Sequence, residues 1–174
     1  MAGIVQVIPN PTGGFTSSGG LMTLLVSLAT VSEQLTNSNK VIDFNADGAT
    51  GFGYMKRTGN SFSSVVGGSF IFTLGMQVRQ DKNNNKTYFW PTVNGVAIPD
   101  SAVVFEAEAI NDTNVISLAF AGVLAANDVV QFIGRSSLAD GSTLLYTPSA
   151  PPIPGITAAK VVITGYRTGT TPTT

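Results

Sequence analysis

The segment 70–98 constrains the fold more than any other part of the chain. It opens Phe-Ile-Phe-Thr-Leu-Gly-Met-Gln-Val, so Phe70, Phe72, Leu74, Met76 and Val78 recur with period two and share one face. Alternation of that kind marks a half-buried strand and does not fit the 3.6-residue repeat of an amphipathic helix. A polar run at 82–86 follows, then the aromatic stretch Thr87, Tyr88, Phe89, Trp90, Pro91, Thr92, Val93, then Asn94-Gly95. Both residues of an Asn-Gly pair tolerate positive φ, which a two-residue hairpin turn requires. Pro91 donates no ladder hydrogen bond, so the aromatic strand is expected at an edge or a bulge. The pattern is that of an antiparallel β protein.

The rest of the chain agrees from Lys40 onward. Candidate strands lie at 41–45, 54–57, 62–66, 103–109, 113–121, 129–133, 142–146 and 158–166, separated by Asp47-Gly48, Thr58-Gly59-Asn60, Asn111-Asp112, Asn127-Asp128 and Asp140-Gly141. Gly48, Gly51 and Gly53 read as a flexible loop. Regularly spaced short strands with turn signals between them predict an all-β antiparallel sandwich or jelly roll. No fixed-period repeat suggests a propeller or a solenoid.

Two stretches are ambiguous. In residues 21–36, Leu21, Leu24, Leu25, Leu28 and Leu35 approximate helical spacing, while the Thr, Val and Ser content suits a strand. Residues 1–20 are rich in Gly, Pro, Ser and Thr, with one apolar cluster at Ile4, Val5, Val7 and Ile8. They read as an arm that docks on a neighbour or as a frayed terminus. The division expected is an arm and linker at 1–38, a jelly roll at 39–168 and a tail at 169–174.

Composition removes whole classes of chemistry. The chain has no cysteine and no histidine. A Ser-His-Asp triad, a thiol nucleophile and a Cys/His metal site are therefore excluded within it. The nine Lys and Arg residues are scattered, and the densest group, 79–86, reads as a solvated hairpin tip, so no nucleic-acid partner is expected. No apolar run approaches the roughly 20 residues of a spanning helix, so no membrane partner is expected either. Charged residues make up only 11% of the chain, against about 25% in typical soluble domains. Such a surface is expected to be covered by copies of the same chain or by a larger assembly.

Several motifs, in order, resemble the C1q/TNF-like jelly roll. They are Val41-Ile42-Asp43-Phe44-Asn45; Gly68-Ser69-Phe70-Ile71-Phe72; the block from Tyr88 through Asn94-Gly95 to Ile98-Pro99-Asp100-Ser101; Leu124-Ala125-Ala126-Asn127-Asp128-Val129; and the final Val161-Val162-Ile163-Thr164-Gly165-Tyr166. Asn127 stands where the family usually has Gly. The chain looks most similar to the short, cysteine-free versions of bacteriophages and other viruses. The resemblance implies a homotrimer whose three jelly rolls pack around an axis through flat, largely apolar faces. Candidates for core or axis packing are Phe70, Phe72, Tyr88, Trp90, Phe120, Phe132, Tyr146 and Tyr166.

Neither a collagen-like tract nor a heptad stalk precedes the domain, which suits attachment to a particle surface. The function expected is a virion structural protein, a trimeric capsid decoration, cement or minor capsid protein assembled in a host cytoplasm. Its partners would be itself and a major capsid protein or other virion protein. The alternative is a receptor- or glycan-binding tip of a fibre or spike.

Catalysis is not expected. Glu106 and Glu108 are two apart on a strand, roughly 7 Å, a spacing found between glycosidase carboxylates, but the reading preferred for them is a solvated strand face. Asp43, Asp47, Asp112 and Asp128 could offer oxygens to calcium, but no EF-hand spacing is present, and no cofactor or metal is expected.

Overall fold

The computed structural model describes residues 21–50, 54–106, 109–152 and 154–167. Fourteen strands are named among them, and no helix. They are β1 (Leu21–Ala29), β2 (Glu33–Leu35), β3 (Lys40–Val41), β4 (Ala46–Thr50), β5 (Met55–Thr58), β6 (Ser61–Ser64), β7 (Gly68–Gln80), β8 (Lys86–Val93), β9 (Val96–Ala97), β10 (Val103–Glu106), β11 (Thr113–Leu124), β12 (Val129–Ser136), β13 (Ser142–Leu144) and β14 (Ala159–Arg167).

The long strand β7 organises the first sheet. β11 pairs along one side of it from Gly68 to Arg79. On the other side β14 pairs with Gly68 to Met76 and β13 with Val78 to Gln80, end to end. β14 leads on to β1 and β4, and β13 to β2. The second sheet runs β10-β8-β12-β6-β5, with β3 on β12 and β9 on β8. β11 and β10 are therefore edge strands of their respective sheets.

The core lies between the sheets, and the period-two pattern of β7 builds it. Phe70, Phe72, Leu74, Met76 and Val78 are all buried, while Ile71 and Thr73 face outward. Phe44, Phe62, Phe72 and Phe132 meet edge-on, with ring centroids 5.3 to 6.3 Å apart. Phe120 stacks flat on Phe72 at 4.5 Å. Offset and edge-on aromatic pairs contribute about 0.5–1.5 kcal/mol each beyond the area they bury.

The turns follow their residues. Asn94 and Gly95 both have positive φ, 50° and 79°, as the β8–β9 hairpin demands. The Asn94 side chain also accepts from Val129 N–H (2.9 Å) and donates to Asp128 (2.8 Å), tying the hairpin to the turn before β12. Asp128 in turn accepts from Ala125 N–H at 2.8 Å. Pro91 pairs with Phe132 of β12 on one side, and its carbonyl accepts from Ile98 N–H on the other. A residue's N–H and C=O point to the same side of a strand, so the missing donor falls on the β9 side, where pairing ends.

Three expectations are corrected. The sandwich begins by Leu21 rather than at residue 39: in the 21–36 stretch the strand alternative holds at Leu21–Ala29 and Glu33–Leu35, and β1 is hydrogen-bonded on both sides, by β14 and β4. The expected strand at 41–45 shortens to Lys40–Val41: Ile42 N–H still reaches Phe132 O (2.9 Å), but Asp43 N–H turns to the Glu33 carboxylate (3.1 Å) instead of a neighbouring strand. The glycine loop begins as strand: β4 runs through Gly48, where a Cβ would meet Val26 Cγ1 at 2.7 Å. Gly51 and Gly53 lie outside the described residues, as do Ile4, Val5, Val7 and Ile8 of the expected arm.

Candidate functional site: two faces of one sandwich

The outer face of the first sheet is nearly uncharged and carries mostly small side chains. Registered rows cross β11, β7, β14 and β1: Ala121, Ile71 and Thr164; then Ala119, Thr73, Val162 and Val26; then Ser117, Gly75, Lys160 and Leu28. Lys160 is the only charge in these rows. Ile71 is 48% exposed, and Val115 and Val123, at the two ends of edge strand β11, are 74% and 75% exposed.

Gly75 is the unexpected member. It sits in the middle of the longest strand, yet a Cβ there would meet nothing within 4 Å. A strand-interior glycine costs stability and commonly marks the close approach of another backbone or ligand. Among the described residues nothing in the packing requires it.

The polar end of the same face is locked by its own bonds. Gln34, Thr143 and Arg79 stand in one row. Asp81 pairs with Arg79 at 2.7 Å and accepts from Thr143 (2.6 Å) and Gln34 (3.3 Å). Burial alone would push the Asp81 carboxyl up, but these three hydrogen bonds and the Arg79 charge together hold it below its usual range.

The second sheet carries a groove on its outer face. Tyr88, Trp90, Ala102, Arg135 and Ser137 line about 510 Å³. Alternation along β8 creates it: Phe89 and Pro91 are buried, while Tyr88 and Trp90 point outward and are half-buried. Val104, 56% exposed, and Arg135 flank Tyr88 in register; Ile133 lies beside Trp90.

Beneath one end of this groove lies a polar network that the sequence hid. Asn85 is fully buried although it belongs to the 82–86 run expected to be a solvated tip. Its Oδ1 accepts from Ser136 Oγ (2.6 Å), Ser137 Oγ (3.1 Å) and Leu138 N–H (3.1 Å). Its Nδ2 donates to Ser142 Oγ (2.7 Å) and Thr87 Oγ1 (3.3 Å), which also bond to each other. Every polar capacity of the amide is used, so the network positions backbone and offers nothing to a substrate.

No protein-family model matches the sequence, and no curated protein matches it. Solved structures do match. Murine APRIL aligns with TM-score 0.57 and 8% identity over 82% of this chain and 98% of that one. The globular domain of zebrafish complement 1qA gives 0.56 and 10%, over 81% and 94%. Eiger TNF of S. frugiperda gives 0.51 and 14%, over 88% and 98%. The fold is the TNF/C1q jelly roll. At these identities the likeness carries the fold alone.

Within this jelly roll the aromatic candidates divide by face. Phe70, Phe72 and Phe132 are core, and Phe120 and Tyr146 are partly buried against it. Tyr88 and Trp90 line the groove instead. The side chain of Tyr166 lies outside the described residues, although its backbone pairs with Leu21 and Ser69.

The carboxylates do not converge. Glu106 pairs with Lys86 at 3.1 Å on the surface, and Glu108 lies outside the described residues. Asp47 pairs with Arg57 at 2.6 Å, and that hydrogen bond lowers its pKa. Among the described residues no group of three or more His, Cys, Asp or Glu could hold a metal ion, and no helix is long and apolar enough to cross a membrane. Sequence reasoning missed Asn85 and Arg135. Both acquire their roles from strands far away in the chain.

Proposed function

We propose that this chain is a self-associating structural module: a homotrimeric jelly roll that decorates or stabilises the surface of a virus particle. Gly75 and the rows around it, whose one charge is Lys160, carry the self-association part. The described face spans four strands, about 19 Å, by five residues along each strand, about 17 Å. That area is on the order of 300 Å² before edges are added. Stable interfaces bury about 800 Å² per partner, so in a ring each copy must add further surface, for which its edge strands β10 and β11 are available.

The particle context rests on the sequence resemblance to viral versions of the fold, on the low charge and on the apolar cluster Ile4, Val5, Val7 and Ile8, which would seat on a major capsid protein. Light scattering on the purified chain tests the first part: a mass three times 18.0 kDa is expected, and a monomer at every concentration would overturn it. An antibody to the chain should decorate intact virions at regularly spaced sites; particles that lack the chain would remove the second part.

A further inference from the structure

The groove of the second sheet has the chemistry of a ligand site that the assembly reading does not use. We infer that it binds an acidic sugar, with a pyranose ring lying on Trp90 and Tyr88 and the sugar carboxylate on Arg135. The inference is independent of the trimer and particle reading, because the groove opens on the opposite side of the sandwich from the self-association face.

Three observations carry it. The first is polarity. Among the described residues, no hydrogen bond or ion pair engages the Arg135 guanidinium, the Tyr88 hydroxyl or the Trp90 indole N–H. The nearby carboxylate, Glu106, is taken by Lys86, so it does not neutralise Arg135. The Ser137 hydroxyl donates to Asn85 and accepts from Lys86 N–H (2.9 Å). What remains free is mainly donors around one cation, which selects an acceptor-rich anion.

The second is shape. Two amphipathic aromatics, two residues apart on one strand, floor a groove of about 510 Å³ with Ala102 at its wall. The negative face of an aromatic ring attracts the C–H face of a pyranose, and small-ligand sites are commonly of this size and lining.

The third excludes an extended peptide added as a strand to the groove floor. The floor strand β8 is already paired at Tyr88 by Val104 and Arg135, and at Trp90 by Ile133. Its backbone is committed to the ladder, so recognition falls to side chains, as it does for a sugar.

Trp90 is the only tryptophan in the chain, so intrinsic fluorescence reports this groove directly. The probes are a trigalacturonate, a neutral trisaccharide of similar size and a triglutamate peptide. Trigalacturonate should change the emission saturably. Arg135→Gln should weaken it about tenfold or more, the loss expected of a charge-assisted hydrogen bond. The neutral sugar should bind more weakly by a similar factor. Arg135 is exposed and unpaired, so the variant should melt like the wild type; Ala102→Glu, which places a like charge at the wall, should abolish the response independently. No response to trigalacturonate at millimolar concentration, a response unchanged in both variants, or equal binding of triglutamate would overturn the inference.

Discussion

Replacing Gly75 with valine should move fold stability and assembly in opposite directions. Gly75 has no neighbour within 4 Å of its missing Cβ, and it sits across from Ser117 and Lys160 in a regular ladder. In the isolated sandwich a valine therefore meets open space. It removes the conformational penalty of a strand-interior glycine and adds a residue that favours strands, a gain of about 1 kcal/mol. In an assembled ring the same side chain enters a surface that another copy approaches. Overpacking of that kind costs about 1–3 kcal/mol per site. Three sites per ring give about 3–9 kcal/mol, a loss of at least about a hundredfold in the association constant. Urea unfolding at a dilution where both proteins are monomeric reads the first effect, and light scattering over a concentration series reads the second. A variant that keeps the wild-type mass on dilution would refute the reading of this glycine. So would one whose midpoint falls, because that would show Gly75 serving the chain's own fold.

Ile71→Glu should yield a folded monomer, since the side chain is 48% exposed in the single sandwich but would bury an unpaired charge in the ring; unchanged mass by light scattering would count against the assigned face. Asn85→Ala should cost about 3 kcal/mol or more in urea unfolding, because it strips partners from Ser136, Ser142, Thr87 and Leu138 N–H at once; a loss below about 1 kcal/mol would mean that the network relaxes or fills with water. Asp81→Asn should destabilise the chain at neutral pH. The folded carboxyl titrates below its ordinary value of 3.8, so its contribution is complete above that value and is lost as pH falls through the lower folded one. The gap between wild type and Asp81→Asn should therefore close in acid, and a gap independent of pH would show that the carboxylate's charge is not what matters.

The sequence made β7 and the β8–β9 hairpin plain because their signals are local: strict alternation in one case, two residues that accept positive φ in the other. Leu21, Leu24, Leu25 and Leu28 left β1 open between helix and strand, because the leucines fit helical spacing while the Thr, Val and Ser among them favour a strand. What decided it was the pair of ladders to β14 and β4, which no local pattern encodes. Gly48 misled for a related reason: glycine signals a loop locally, whereas here it makes room for Val26 of the neighbouring strand.

Asn85 was invisible in a run of asparagines whose polarity predicts exposure. Its burial depends on Ser136, Ser137 and Leu138 at the end of the neighbouring strand β12, and on Ser142 of β13 in the other sheet. The groove was half legible. Alternation in Tyr88, Phe89, Trp90, Pro91 necessarily sends two of the four to each face. Phe89 and Pro91, with no polar tip, go inward; Tyr88 and Trp90, each with a donor to satisfy, go outward. Treating all aromatics as equivalent core residues lost that distinction. The hydrogen-bonding ends of Tyr and Trp carried it, and the ladder from β8 to β12 then supplied the one element that no reading of β8 alone could contain, the unpaired guanidinium of Arg135.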